Sequence, residues 1–302
     1  MKVILVSVGN FQEYVLDNIK NLLLHDNRDI VLITEPAFFN KLRLFPNVVL
    51  VDCADLETEQ IAHYKTHSSI ANRTFRNGFN LYCSCRLFYI YEYMKRHDLH
   101  NVVHIENDVM VYENLENLQG CFKEGGKVYA PFDTMSRVVP SFLYIPTYQS
   151  FEPIVRNYDY VMNDMENLAR FGDDVIAPLP IFPIIEGDGT EGDGGVCDKF
   201  NKHYRDFNVL FDAAAIGQYL GGVDKRNTVV KDTRGFVNET CVVKYDKYEF
   251  RWIRDDTTHL YVPYVKIQNT LYKIINLHIH SKELCHFFSN YPIEQKFIPL
   301  SS

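Results

Sequence analysis

The chain has 302 residues, of which 46% are hydrophobic and 23% charged, with 20 Tyr, 21 Phe and a formal net charge of -8. That length buries a full core as one large α/β domain or two small ones. The acidic balance excludes a non-specific nucleic-acid binder, which needs a basic face for phosphates, so an anionic ligand has to meet local positive charge or a metal.

Residues 2–8, KVILVSV, predict a buried parallel strand, followed by a helix through Leu24 and a second strand at 29–34. The N-terminal apolar run stops before Asn10 and Gln12, too short for a signal peptide or a membrane span, so a cytoplasmic protein is expected. Seven scattered cysteines, at 53, 83, 85, 121, 197, 241 and 285, fit reduced thiols better than a disulfide framework. Gly9 and Asn10 close the first strand, but neither GxGxxG nor GxxxxGK[ST] follows, so a nucleotide has to be held without those glycine cradles.

A third short strand at 48–52, a polar stretch and an aromatic helix over 81–96 lead into a strand ending at Glu106. This alternation predicts an open, mostly parallel sheet flanked by helices. After Tyr112 the pattern changes to short β-like runs at 128–132, 138–144 and 261–280, which predict a mixed second half. Between them IIEGDGTEGDGG, with Asp188, Glu191 and Asp193, reads as a mobile, solvated loop. No repeat or Pro/Ser linker divides the chain, so a single domain over 1–302 is expected, the second half completing the site.

The segment NVVHIENDVMVY, 101–112, interrupts a hydrophobic run with Glu106, Asn107 and Asp108. Acids two apart at a strand end point to the same side, where they can hold a divalent ion; the other reading is an acidic turn. Near the C-terminus KIINLHIHSK places Ile275, Leu277 and Ile279 on one face of a strand and Asn276, His278 and His280 on the other, with Lys282 just beyond. Neutral imidazoles ligate Mn²⁺ or Mg²⁺ beside carboxylates, and a lysine offsets diphosphate charge. A satisfied histidine pair is the structural alternative.

On the aromatic helix Arg86 lies within a turn of Tyr89 and Ile90, to pair with a carboxylate of the acidic motif, to bind a phosphate, or to run its stem along the aromatics toward solvent. Arg73 and Arg76 are weaker candidates. In NVLFDAAAIGQYLGGVDKRN, Asp212 opens a small-residue run and can act on a substrate or cap a helix, and Gln218 and Asp224 can hydrogen-bond a hydroxylated ligand.

Taken together, RLFYIYEYMKR with HIENDVMVY, FDAAAIGQYLGG and NLHIHSK, spread over residues 86–282, resemble GT-A glycosyltransferases of large DNA viruses and bacterial glycan clusters, and distantly the glycogenin-type arrangement. The resemblance implies a Rossmann-like GT-A fold with a nucleotide-binding half, 1–115, and an acceptor half, 116–302. It implies a Mn²⁺ or Mg²⁺ site of Glu106, Asp108 and His278 or His280, in which Asp108 would be the direct ligand, Glu106 would touch the ribose or a metal-bound water, and one of the histidines would complete the set. Val8, Gly9, Asn10 and Asn107 would border the nucleotide and Lys282 would take a diphosphate oxygen. Arg86 would hold the acidic motif or the donor sugar, and Asp212 would lie near the acceptor or reacting carbon, the first candidate, ahead of Asp188 and Asp193, for the base that an inverting enzyme needs. The implied partners are a nucleotide-sugar donor, UDP-linked by expectation, and a glycan or glycoconjugate acceptor, in a host cytoplasm if the chain is viral. The usual DxD is Glu106-Asn107-Asp108 here, and His280 to Lys282 is shorter than the glycogenin spacing. A metal-dependent phosphoesterase or nuclease, and a non-catalytic nucleotide-sugar-binding protein, are the competing classes.

Overall fold

A computed structural model of the chain describes residues 1–70, 75–185 and 198–291. The apolar N-terminal run forms β1 (Lys2–Ser7), every residue after Lys2 buried, and leads through α1 (Val15–Leu24) to β2 (Ile30–Thr34) and β3 (Val49–Asp52). β1 pairs in parallel with β2, and β2 with β3. The polar stretch that follows contains α2 (Glu59–His67), capped by the Thr58 hydroxyl. The long helix is α3 (Phe79–Arg96), which starts two residues before the expected 81 because Gly78 turns the chain into it in a left-handed conformation, φ 88°.

α3 feeds β4 (His100–Ile105), which pairs in parallel with the other side of β1. The order β3-β2-β1-β4 therefore runs outward from β1 in both directions. The sheet continues with β8, β6 and β7 on the β4 side, and β9 pairs with β6. These strands are β6 (Val128–Thr134), β7 (Arg137–Val138), β8 (Phe142–Thr147) and β9 (Ile176–Leu179). β8 lies antiparallel between β4 and β6, so the mostly parallel architecture gains the mixed half that the sequence predicts. The single run expected at 138–144 is broken: β7 stops at Val138 and β8 begins at Phe142, with Pro140, which has no N–H to give a ladder, between them.

After the acidic residues the apolar run resumes as β5 (Val109–Val111). It leaves the central sheet and pairs antiparallel with β13 (Asn276–His278). The second half adds short helices α4 (Tyr148–Arg156), α5 (Asp164–Arg170), α6 (Gly172–Val175), α7 (Tyr204–Phe207) and α8 (Ala215–Gly221). A separate antiparallel sheet contains β10 (Glu249–Arg254), β11 (Tyr261–Ile267) and β12 (Thr270–Lys273). Two apolar cores form on the two faces of the central sheet: Ile4, Val6, Val31 and Val102 look toward α3, and Val3, Leu5, Leu32 and Val103 toward α1. This is the double-sided burial that continuous apolar strands require.

Candidate active site and metal centre

Where β1 sends its chain to β2 on one side while β4 lies on the other, the loops beyond the strand ends part, and a crevice opens at that switch point. A cavity of about 850 Å³ occupies it. Val8 and Asn10 beyond β1, Tyr82 and Arg86 on α3, Glu106 to Asp108 beyond β4, His278 at the end of β13, and His280, Ser281 and Lys282 beyond it line the cavity.

Contrary to the expectation of strand alternation, the acidic residues are brought together by a turn. The strand ends at Ile105, and the backbone turns back with the Val109 N–H donating to the Glu106 carbonyl at 3.1 Å. This turn is fastened from four directions. Asn18 of α1 donates to the Glu106 carbonyl, the Glu106 N–H donates to Ser141, the Asn107 amide donates to Val6 and Gln12, and the Ile279 N–H donates to the Asp108 carbonyl. Asn107 is thus a brace whose carboxamide nitrogen is committed to β1, although its residue borders the cavity.

The fastening brings one oxygen of Glu106, one of Asp108 and a ring nitrogen of His278 within 4.8 Å of one another. His278 Nε2 lies 3.1 Å from Asp108 Oδ2 and 3.5 Å from Glu106 Oε2. Glu106 Oε2 is buried with no hydrogen-bond partner, a costly state for a carboxylate oxygen unless a cation meets it. The other ring nitrogen of His278, Nδ1, is 2.9 Å from the Ala213 carbonyl, which holds the proton there and aims Nε2 at the acids. Two carboxylates and an imidazole so oriented fit Mn²⁺ or Mg²⁺.

Electrostatics support this reading. Burial alone would raise the carboxyl of Asp108, but Lys282 and then His278 hold it well below the usual range. Burial would lower His278, yet Asp108 and Glu106 push the imidazole up to about 9. Without a cation the ring therefore carries a proton between the acids, and a metal held there would replace that proton.

Arg86 is buried on α3 rather than reaching solvent. One of its terminal nitrogens pairs with Glu106 and the other with Asp164 at the first turn of α5. Burial opposes its charge, but the two acids more than compensate and raise its pKa. Asp164 escaped the sequence reading because it lies 78 residues from Arg86 and carries no local signal beyond following the cap residue Asn163. Its own carboxyl is raised by burial against the pull of Arg86. Asp133 on β6, also unforeseen, faces the same cavity and holds Arg137 through Nε at 2.9 Å to each carboxylate oxygen.

Three expected residues are placed otherwise. Asp212 is only 1% exposed and does not line the cavity. Its oxygens accept the N–H groups of Ile216, Gly217 and His278 at 3.0, 2.8 and 2.9 Å. It takes the capping place the sequence allowed, joining α8 to β13 away from the cavity, and burial pushes its carboxyl up to about 6. His280 is not part of the metal cluster: its Nδ1 accepts the Asp224 N–H at 3.1 Å, so in the neutral ring Nε2 carries the proton and has no lone pair for a cation. Gly9 donates to Glu35 Oε1 at 2.6 Å and lies against the Tyr82 ring, which a Cβ at this position would meet at 2.1 Å. Val8 and Asn10, not Gly9, border the cavity. Arg76 lines it too, while Arg73, Asp188, Glu191 and Asp193 lie outside the described residues.

No protein-family model matches the chain, and no curated protein matches it. Among solved structures it is similar to the galactosyltransferase LgtC in complex with donor and acceptor sugar analogues, at 15% identity over 68% of this chain and 82% of that one, TM-score 0.42. It is similar to mouse xyloside xylosyltransferase 1 at 9% identity over 66% of this chain and 92% of that one, TM-score 0.42. It is similar to the bifunctional glycosyltransferase WbbM at 17% identity, TM-score 0.41, over 68% of this chain but only 44% of that one. Function has to be argued from the site's own geometry. Among the described residues no helix is long and apolar enough to cross a membrane.

Proposed function

We propose that the protein is a metal-dependent glycosyltransferase that moves a sugar from a nucleotide-sugar donor, a UDP-sugar first among the candidates, to a hydroxyl of a glycan or glycoconjugate. The observation that carries this reading is the convergence of Glu106, Asp108 and His278 with the ammonium of Lys282 at a switch-point cavity. A divalent ion bound by those three residues supplies Lewis-acid stabilisation of the departing diphosphate. Lys282 adds a second positive charge where the leaving group develops negative charge. Val8 and Asn10 border the nucleotide, Arg86 keeps Glu106 oriented, and the wall with Asp133, Asp164 and Gln218 offers hydrogen-bonding groups to sugar hydroxyls.

A volume of about 850 Å³ accommodates a donor with part of an acceptor. The phosphoesterase reading is less well supported: among the described residues this is the single cluster of three ligating groups, whereas two-metal hydrolysis needs more. A pure binding protein would share the site but not turn over. The test is release of nucleoside diphosphate from UDP-, GDP- and dTDP-sugars, with Mn²⁺ or with EDTA. Metal-dependent turnover of one donor is expected; hydrolysis of plain phosphodiesters instead would overturn the transferase reading.

A further inference from the structure

Asp108 and Lys282 account for one part of a diphosphate site, and the loop after α8 lines the same cavity with Asp224, Lys225 and Arg226. We infer that Arg226 is the second cationic contact of the diphosphate, and that His280 is the residue that positions it. The inference rests on the transferase reading of the site and adds to it a phosphate-binding role for a loop that no metal ligand occupies.

The loop is built rather than loose. Gly222 takes a left-handed backbone, φ 78°, and the Val223 N–H donates to the Thr233 hydroxyl at 2.8 Å. The Asp224 N–H donates to His280 Nδ1 at 3.1 Å, and Lys225 pairs with Glu283. The loop is therefore zipped onto the 280–283 segment that carries Lys282, so the two cations are presented by two strands of chain bound to each other. Asp224, which is buried, grips Arg226 through Nε at 3.1 and 3.0 Å and through Nη2 at 2.6 Å, and also accepts the Arg226 N–H at 2.8 Å. Among the described residues nothing takes Nη1, and the Arg226 side chain is 55% exposed.

Arg226 lines the cavity together with Tyr14 and Asp108 and lies near enough for their charges to interact. Lys282 Nζ stands 5.8 Å from the centre of the same Tyr14 ring. Both cations thus line the cavity that the acidic turn borders. A guanidinium fixed on one edge by a carboxylate presents its other edge to an anion without losing further rotamer freedom, which is the arrangement that favours phosphate oxygens. It also gives His280 a role that its absence from the metal cluster left unassigned.

The probe is pyrophosphate with saturating Mn²⁺, which carries the diphosphate charge without a nucleoside, measured by titration calorimetry on the full chain. Arg226→Ala is expected to weaken pyrophosphate about tenfold or more and Arg226→Lys about threefold, with Mn²⁺ affinity unchanged in both. His280→Ala is expected to weaken pyrophosphate about fivefold, and the double variant to bind no more weakly than Arg226→Ala alone, as groups acting in series do. Unchanged pyrophosphate affinity in Arg226→Ala overturns the inference while leaving the proposed function standing. Additive losses in the double variant, or loss of Mn²⁺ binding in His280→Ala, overturn the role of His280. Failure of the wild-type chain to bind pyrophosphate with Mn²⁺ overturns both readings.

Discussion

Lys282 donates its ammonium to Oδ2 of Asp108, the same oxygen that lies 3.1 Å from Nε2 of His278. A lysine therefore holds the oxygen that a cation would share, and it does so from a left-handed backbone, φ 67°, that is unusual for a residue with a side chain. An ammonium and a divalent ion about 4 Å apart would repel by roughly 8 kcal/mol at an effective dielectric constant near 20. Lys282→Met is accordingly expected to bind Mn²⁺ alone at least about fivefold more tightly, and pyrophosphate with Mn²⁺ more weakly. Calorimetric titration of both ligands checks this, and a weakened Mn²⁺ affinity would show that the ammonium supports the metal rather than competing with it.

Asp108→Ala is expected to reduce Mn²⁺-dependent UDP binding about 100-fold or more while the chain remains folded, because the carboxylate lies on a turn whose backbone bonds do not use its side chain. Thermal melting establishes folding and titration with UDP reads the site. Undiminished binding in a folded variant would sink the metal assignment.

Asp212 gives the opposite pattern. Its carboxylate satisfies three buried N–H groups, and an amide in its place presents only one accepting oxygen. Asp212→Asn should lower stability by about 2 kcal/mol yet keep turnover per folded molecule within about threefold of wild type. A loss of several hundredfold in kcat with unchanged stability would restore the acceptor-base role.

α8 and β13 touch through Gly217, where a Cβ would lie 2.0 Å from the His278 carbonyl oxygen. Backbone cannot yield as a flexible side chain can, so Gly217→Ala is expected to cost about 3 kcal/mol and to displace His278 from the acids. Urea unfolding and Mn²⁺ titration of the same variant should both change; wild-type stability would mean that the two elements pack less closely than described.

His25 is buried at the end of α1 with Nε2 2.6 Å from the Ser289 hydroxyl, and burial pushes its pKa from 6.5 down to about 4. The unfolded chain takes a proton near 6.5 that the folded chain refuses until about 4. This contribution to stability is therefore complete above 6.5 and is lost as pH falls toward 4. Between pH 7.5 and pH 5 the wild-type chain should lose about 2 kcal/mol that His25→Gln does not. Denaturant unfolding of both proteins at the two pH values is the check, and equal losses would remove His25 from the acid response.

Local pattern carried much of this molecule. The apolar runs of β1, β2 and β4 and the length of α3 were readable because continuous burial on two sheet faces needs unbroken branched residues. The interruption of such a run by Glu106 and Asp108 also marked a segment that lines the cavity, although the geometry that unites them is a turn and not strand alternation. α5 and β9 were not foreseen, since neither stretch carries a long enough period to stand out from its surroundings.

What the sequence by itself determined was the α/β class and the two segments, one acidic and one with histidines and a lysine, that meet at the cavity. Tertiary structure alone decided that His278 and not His280 faces the acids, that Asp164 shares Arg86 with Glu106, and that the Asp212 carboxylate joins α8 to β13 away from the cavity. The reason is distance along the chain. Asp108 meets His278 across 170 positions and Arg86 meets Asp164 across 78, and periods of two or 3.6 residues say which face a side chain takes, but not which other segment the folded sheet lays against that face.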